Sequence, residues 1–368
     1  MGTTAEKLNY LNNTKNTLKT NLTNKSVALT GNETFRELAN KVNDIQTGGG
    51  IASPEYVRFD NYTGTSLDLS WLDTSNMTDM NRMFYDCEKV TSLDVSSFNT
   101  SKVTNMSNMF YGCRSLTSLD VSHFNTSNVT NMYNMFSTLY YGLSSLDLSN
   151  FDTSKVTNMS NMFSYCRGLK TPNISNFNTS NVTNMEYMFY DCSGLSNIDV
   201  SSFDTSNVTN MGNMFASCDG LRNLDLSNFN TSNVTDMNNM FSYSDNLTSV
   251  DLSSFDTSNV TNMHYLFRLD KKLKNITGIL DLQSIDANND WGNYFEGCSS
   301  LEEVHIHNLG RNLSLSDSPN LTHDCLVELI NNLKTVTSTN TLTLGSTNLA
   351  KLTDAEKQVA TNKGWTLA

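Results

Sequence analysis

The chain of 368 residues has little charge, 17% of it Asp, Glu, Lys or Arg, and only three prolines. A disordered chain would be rich in Pro, Glu and Lys and short of aromatics; this one carries 18 Phe, 14 Tyr and 17 Met, so it folds and buries a core. No run approaches the roughly 20 apolar residues of a membrane-spanning helix. The opening residues Met1-Gly2-Thr3-Thr4-Ala5-Glu6-Lys7 lack the basic-then-apolar profile of a secretion signal, and Glu6 spoils a myristoylation pattern. Seven cysteines, an odd number, argue against a fully paired disulfide framework and fit folding in a reducing compartment. Excess positive charge is missing too. With 37 acidic against 24 basic residues the net charge is -13, and without a Lys/Arg cluster neither nucleic acid nor an anionic membrane surface is expected as a partner.

What the chain has in abundance is Asn, Ser and Thr, and they recur. The Val-Thr-Asn-Met phrase and its variants place Met80, Met106, Met132, Met159, Met185, Met211, Met237 and Met263 at steps of 26, 26, 27, 26, 26, 26 and 26 residues. Phe84, Phe110, Phe136, Phe163, Phe189, Phe215, Phe241 and Phe267 keep the same steps, so a whole unit is copied. Within one unit Met106, Met109, Phe110 and Cys113 fall at i, i+3, i+4 and i+7, which predicts a short amphipathic helix. Leu116, Leu119 and Val121 then have the spacing of a repeat strand, with Asp120 and Ser122 on the opposite, solvated face. The exit loop after Phe124 reads Phe-Asp/Asn-Thr-Ser, with Asp at 152, 204 and 256 and Asn at 99, 125, 178 and 230; either side-chain oxygen can cap an Asx-turn. No coil can cover its own apolar face, so stability must come from stacking neighbours.

The expected architecture is an α/β solenoid, a right-handed, leucine-rich-repeat-like stack of 26-residue coils, each a short helix plus a parallel strand, with small helical N-terminal and mixed C-terminal units. Residues 1–50 read as a helical attachment segment ending in the hinge Gly48-Gly49-Gly50, 51–310 as the solenoid with its caps, and 311–368 as a small α/β cap. Glu55-Tyr56-Val57-Arg58-Phe59 alternates like a covering strand. Trp291, Tyr294, Phe295 and Cys298 fill the Met, Phe and Cys slots of a degenerate last coil.

The phrase Met-Phe-x-x-Cys-x-x-Leu-x-x-Leu-Asp-x-Ser-x-Phe, as in Met109 to Phe124, resembles the BspA-type leucine-rich repeats of bacterial surface proteins over roughly residues 65–309. That resemblance implies an adhesin or recognition protein, in a family generally secreted and wall-anchored. The ends, Thr4 to Leu11 with Thr34-Phe35-Arg36, and Leu342 to Thr353, resemble terminal segments of bacteriophage tail-fibre proteins. Together the two imply a virion tail-associated or baseplate-associated fibre that recognises a bacterial surface glycan or protein receptor. It would be made in the host cytoplasm, released by lysis without a signal peptide, and joined to other virion tail proteins through residues 4–46. A homotrimer follows by analogy with fibres alone. The alternatives are a bacterial cell-surface adhesin of the same repeat family and a polysaccharide depolymerase.

Candidate binding residues come from two rows. Asp68, Asp94, Asp120, Asp147, Asp199, Asp225 and Asp251, interrupted by Asn173, form an acidic row on successive coils about 4.8 Å apart, where like charges should raise one another's pKa values. Such a row could hydrogen-bond sugar hydroxyls or share cations, or each Asp could simply be tied to its neighbouring Ser and Thr, the more ordinary arrangement. Tyr133, Tyr187 and Tyr265, one or two residues after the first Met, and Tyr85, Tyr111 and Tyr190 after the Phe, could stack on sugar faces or merely cover the outer surface. No catalytic residue is assigned, because repetition places the Asp residues in near-identical surroundings while an acid and base pair needs different ones. No cofactor and no metal is expected. Cys87, Cys113, Cys166, Cys192, Cys218 and Cys298 share one slot, filled elsewhere by Leu139, Ser244 and Asp270, which points to a small buried thiol. His305 and His307 take the Asp and Ser slots of the last coil, without a third ligand, and read as a solvated edge.

Overall fold

Backbone amides of the Met-x-x-Met-Phe segment alternate between two destinations. Met80, Arg82, Phe84 and Asp86 donate to the carbonyls of Asn105, Ser107, Met109 and Tyr111 in the following coil, at 2.7–3.0 Å. The amides between them close tight turns within the coil, Met83 to Met80, Tyr85 to Arg82 and Cys87 to Phe84, each at 3.2 Å. Later coils repeat the scheme: Met106, Asn108 and Phe110 bond Asn131, Tyr133 and Met135. The computed structural model describes residues 57–70, 72–285, 293–338 and 340–368, and over the array these residues form stacked coils. The expected attachment segment 1–50, Glu55 and Tyr56 of the covering strand, and Trp291 lie outside the described residues.

The expected short helix is corrected. Among the described residues the first α-helix begins at His323; the Met-x-x-Met-Phe-x-x-Cys segments are consecutive turns. A helix would spend every amide inside its own coil, leaving none to hold the next. Two backbone positions per coil adopt left-handed φ and produce the turns: one column contains Asn108, Asn134, Asn161, Asn213 and Asn239, the other Asp86, Gly112, Asp191 and Ser217. Apolar residues at i, i+3, i+4 and i+7 still face inward, so the predicted core is buried although its conformation differs.

The parallel strand is also narrower than expected. Through most of the array a coil contributes single parallel bridges, and the longest run joins Asp79, Asn105, Asn131, Asn158, Asn184, Asn210, Asp236 and Asn262, in the Thr-Asn-Met phrase and not at the leucines. Among the described residues extended strands appear only near the end: β1 (Ser249–Asp251), β2 (Asn275–Asp281) and β3 (Glu303–His307) pair in parallel in that order. Beyond them, β4 (Leu313–Ser314), β5 (Asn340–Thr343) and β6 (Trp365–Leu367) make a second parallel sheet, with helices α1 (His323–Asn331), α2 (Gly345–Leu349) and α3 (Asp354–Asn362).

Side chains inside the coils stack as columns. Phe59, Phe84, Phe110, Phe136, Phe163, Phe189, Phe215, Phe241, Phe267 and Phe295 form one run of near-parallel rings with centroids 5.1–6.2 Å apart. Among the described residues Phe59 supplies the first ring of this column. A second buried column is threonine: Thr100 accepts the Asn125 amide at 2.7 Å and donates to the Asn125 carbonyl at 3.0 Å, and Thr74, Thr153 and Thr205 do the same for their neighbours. The exit loops are Asx-turns: the amides of Ser101, Ser127 and Ser154 donate to Asn99, Asn125 and Asp152 at 3.0–3.1 Å. One apolar core runs from Phe59 to Trp365. α1 lies along the free edge of β3, with Thr322 donating to the Glu302 carbonyl at 2.9 Å and the Cys325 thiol to that of Val304 at 3.2 Å. Covering a terminal strand with a helix removes a template for aggregation.

Candidate functional site

The acidic row is fully exposed, and each of its members is bound locally. Asp94 accepts the Ser96 amide at 3.0 Å and its hydroxyl at 2.6 Å; Asp199 and Asp251 hold Ser201 and Ser253 in the same way, and Asp120, Asp147 and Asp225 accept the amides of Ser122, Ser149 and Ser227 at 2.9–3.0 Å. Asn173, which interrupts the row, donates to Asp147 at 2.9 Å. These bonds reverse the expected pKa direction. The serine hydroxyl is the largest influence at Asp94, Asp120, Asp199 and Asp251, the serine amide at Asp147 and Asp225, and all six carboxyls are held below the usual Asp range. Repulsion between neighbouring coils is the smaller effect because the charges stand in water, where screening is strong. These six carboxyls are therefore ionised at neutral pH, and none of them is poised as a proton donor.

The tyrosines are arranged differently. Tyr85 and Tyr111 stack face to face at 4.7 Å, with the Arg82 guanidinium 3.8 Å above Tyr85. Tyr140, Tyr165 and Tyr190 follow one another on consecutive coils at 6.5 and 5.1 Å, and Tyr187 meets Tyr190 edge-on at 5.2 Å. Burial, then the neighbouring Tyr165, pushes the Tyr190 hydroxyl up to about 12. Farther along, Arg268 lies over Tyr265 at 4.4 Å and donates to the Tyr243 hydroxyl at 2.8 Å. Tyr133 is 36% exposed but makes none of these ring contacts. The structure thus brings Tyr187 and Tyr190 together and leaves Tyr133 and Tyr265 apart from them. Sequence spacing alone misses Tyr140, Tyr141, Tyr165, Tyr243 and the arginines.

Arg82, Tyr187 and Tyr265 occupy the left-handed column that other coils fill with Asn, and Tyr165 and Tyr243 occupy the second left-handed column. A bulky residue in that region costs on the order of 1–2 kcal/mol, which Asn and Gly largely avoid. These large side chains stand where the fold would be better served by a small polar one.

A family model described as "Mycoplasma protein of unknown function, DUF285" matches residues 56–142, 140–223 and 196–308, more than half of the chain. The chain belongs to this family. No curated protein matches. Among solved structures, the DUF285 chain is similar to a leucine-rich repeat protein from Bacteroides ovatus ATCC 8483, at 13% identity and a TM-score of 0.38 over 87% of this chain and 94% of that one. It is also similar to a leucine-rich cell surface protein from Faecalibacterium prausnitzii A2-165, at 15% identity and a TM-score of 0.28 over 69% of this chain and 83% of that one.

In the DUF285 array the shared cysteine slot has a structural task. The thiols of Cys87, Cys113, Cys166, Cys192, Cys218 and Cys298 are buried and donate to the carbonyl of the core Phe one coil earlier (Phe136 for Cys166) at 2.9–3.2 Å, and Ser244 does so through its hydroxyl at 3.0 Å. Burial raises the Cys166 thiol to about 12, which suits a donor and not a nucleophile. Asp270 is the exception: it is fully buried, Oδ1 accepts the Ser244 amide at 2.7 Å, Oδ2 has no partner, and burial drives its pKa well up.

The reading of His305 and His307 as a solvated edge is corrected as well. Glu328 of α1 accepts from His305 Nδ1 at 2.8 Å and from His307 Nε2 at 3.4 Å, joining β3 to the helix. Burial would raise the Glu328 carboxyl, yet the hydrogen bonds from both histidines hold it below its ordinary range. Among the described residues no group of three or more His, Cys, Asp and Glu is placed to hold a metal ion.

Proposed function

We propose that this DUF285 chain is a non-enzymatic recognition module displayed at a bacterial cell surface, an adhesin of the BspA-type repeat kind. The observation that carries this reading is the division of labour within the coil. Phe, Met, Cys, Thr and Asn columns repeat almost unchanged and build a rigid stack, while large Tyr and Arg side chains occupy individual outer positions where sibling coils carry Asn, Ser or Gly. A constant frame with a varied aromatic and arginine surface is how binding proteins concentrate contact area at low entropic cost. Against a depolymerase stands the uniform ionisation of the acidic row, since glycoside cleavage needs one carboxyl kept protonated beside one that is not.

Two experiments test the proposal. Protease added to intact cells should digest the protein if it is displayed outside, and fluorescently labelled protein should bind bacterial cells. Detection only inside purified phage particles would favour the virion fibre instead, a reading that rests on the terminal segments, which the family match at 56–308 does not reach. Release of reducing sugar from capsule, lost in Asp120→Asn, would restore the enzyme.

A further inference from the structure

Between Met80 and Met263 one coil departs from the 26-residue step. Leu139 to Leu143 encloses three residues, Tyr140, Tyr141 and Gly142, where Cys113 to Leu116 and Cys166 to Leu169 enclose two. The backbone absorbs the extra residue: Tyr140 takes a left-handed φ of 47°, and the Gly168 amide donates to the Tyr140 carbonyl at 2.6 Å. Two glycines make room for it. A Cβ at Gly168 would lie 2.9 Å from the Tyr141 backbone, and one at Gly142 would meet the Leu116 carbonyl oxygen at 2.3 Å. The result is that Tyr141 stands 70% exposed, the most exposed of the large hydrophobic side chains among the described residues. Beside it Arg167 interacts with the Tyr141 hydroxyl, pairs with Asp191, and lies 5.5 Å from the centre of the Tyr140 ring, which begins the run to Tyr165, Tyr190 and Tyr187.

We propose that this inserted tyrosine and the ridge beside it, Tyr140, Tyr165, Arg167, Tyr187 and Tyr190, form the binding surface for a neutral glycan. The inference rests on the recognition reading above and names its ligand class. Charge decides against an anionic partner. In a chain of net charge -13 the arginines of the ridge are both matched, Arg114 over the Tyr140 ring by Glu88 at 3.2 Å and Arg167 by Asp191 at 2.5 Å, while Glu186 and Asp236 add negative charge near Tyr187. What remains available is an open phenol ring, suited to the apolar face of a pyranose, beside planar guanidinium and carboxylate groups suited to paired hydroxyls. The ridge repeats once per coil, so an extended sugar chain lying along the stack would meet one aromatic group after another. Left-handed backbone at Tyr140, Tyr165 and Tyr187 shows that these rings are held out at a conformational cost.

The test measures binding of the labelled full-length protein to bacterial cells treated with periodate, which cleaves vicinal diols, or with protease. Binding lost after periodate, kept after protease and insensitive to added salt is the expected result. Tyr141→Ala should weaken it at least tenfold, and because that side chain is exposed the variant should fold normally. Tyr187→Asn restores the residue of the sibling coils, so it should raise the melting temperature while weakening binding. Binding that is sensitive to protease and not to periodate would overturn the glycan and assign a protein receptor. Unchanged binding by both variants would overturn the ridge. If the wild-type protein binds no cells at all, the recognition reading itself falls.

Discussion

A single slot can be followed through all the coils and shows what each residue type does there. The thiol column donates to the Phe carbonyl of an earlier coil, serine replaces it with a hydroxyl, and Asp270 places a carboxyl in the same dry position with one oxygen unpartnered. Since burial raises the Asp270 pKa, the sign follows. Below about pH 4, where the unfolded state is also protonated, the acid costs nothing extra; as pH rises toward the folded-state value, ionisation favours unfolding and stability falls. Asp270→Asn should therefore stabilise the protein at neutral pH by about 1–3 kcal/mol and make little difference near pH 3, as read by denaturant melts at both pH values. The thiol column was legible as buried from its Leu and Ser replacements. The left-handed column was not, although the repeated Asn at 108, 134, 161, 213 and 239 is its signature, since Asn tolerates that region better than other residues with a side chain.

At the scale of the coil, the period, the inward columns and the Asx-turns could all be read from spacing, because each depends on side-chain type at a fixed interval. The conformation joining them could not. Apolar residues at i, i+3, i+4 and i+7 point inward in a helix and equally in two successive turns, and what separates the two is where the amides go, a long-range matter. The threonine column shows the energetic weight of those contacts. Thr179, fully buried, donates to the Asp204 carbonyl at 2.8 Å, so Thr179→Val keeps the shape and strands buried polar groups. A loss of about 1–3 kcal/mol is expected from thermal or urea unfolding, against less than about 0.5 kcal/mol for an exposed control such as Ser196→Ala. The acidic row belongs here too. Its carboxyls are held below their ordinary range, so they stabilise the fold above about pH 4 and lose that contribution as pH falls further. Replacing Ser96, Ser122 and Ser201 together with Ala should move the Asp94, Asp120 and Asp199 resonances toward ordinary titration by carboxyl NMR.

For the molecule as a whole, the end of the stack matters as much as its interior. Glu328 ties α1 to β3 through both histidines, a link that sequence could not reveal because its partners lie 21 and 23 residues away on a different element. Its lowered pKa means the link is intact above the ordinary Glu range, about 4.3, and fails on further acidification. Glu328→Gln should cost about 1 kcal/mol at pH 7 and expose the amides of residues 323–331 to faster hydrogen exchange before those of the central coils.

The alternating amides have a mechanical consequence. Their bonds run from coil to coil along the stack, so pulling the two ends apart loads them one rung at a time, as in a zipper, and not all together as in shear. Each coil of 26 residues set free would lengthen the chain by up to roughly 90 Å. Pulled from its two ends, such a stack would yield in a series of small, equal steps, starting from an end.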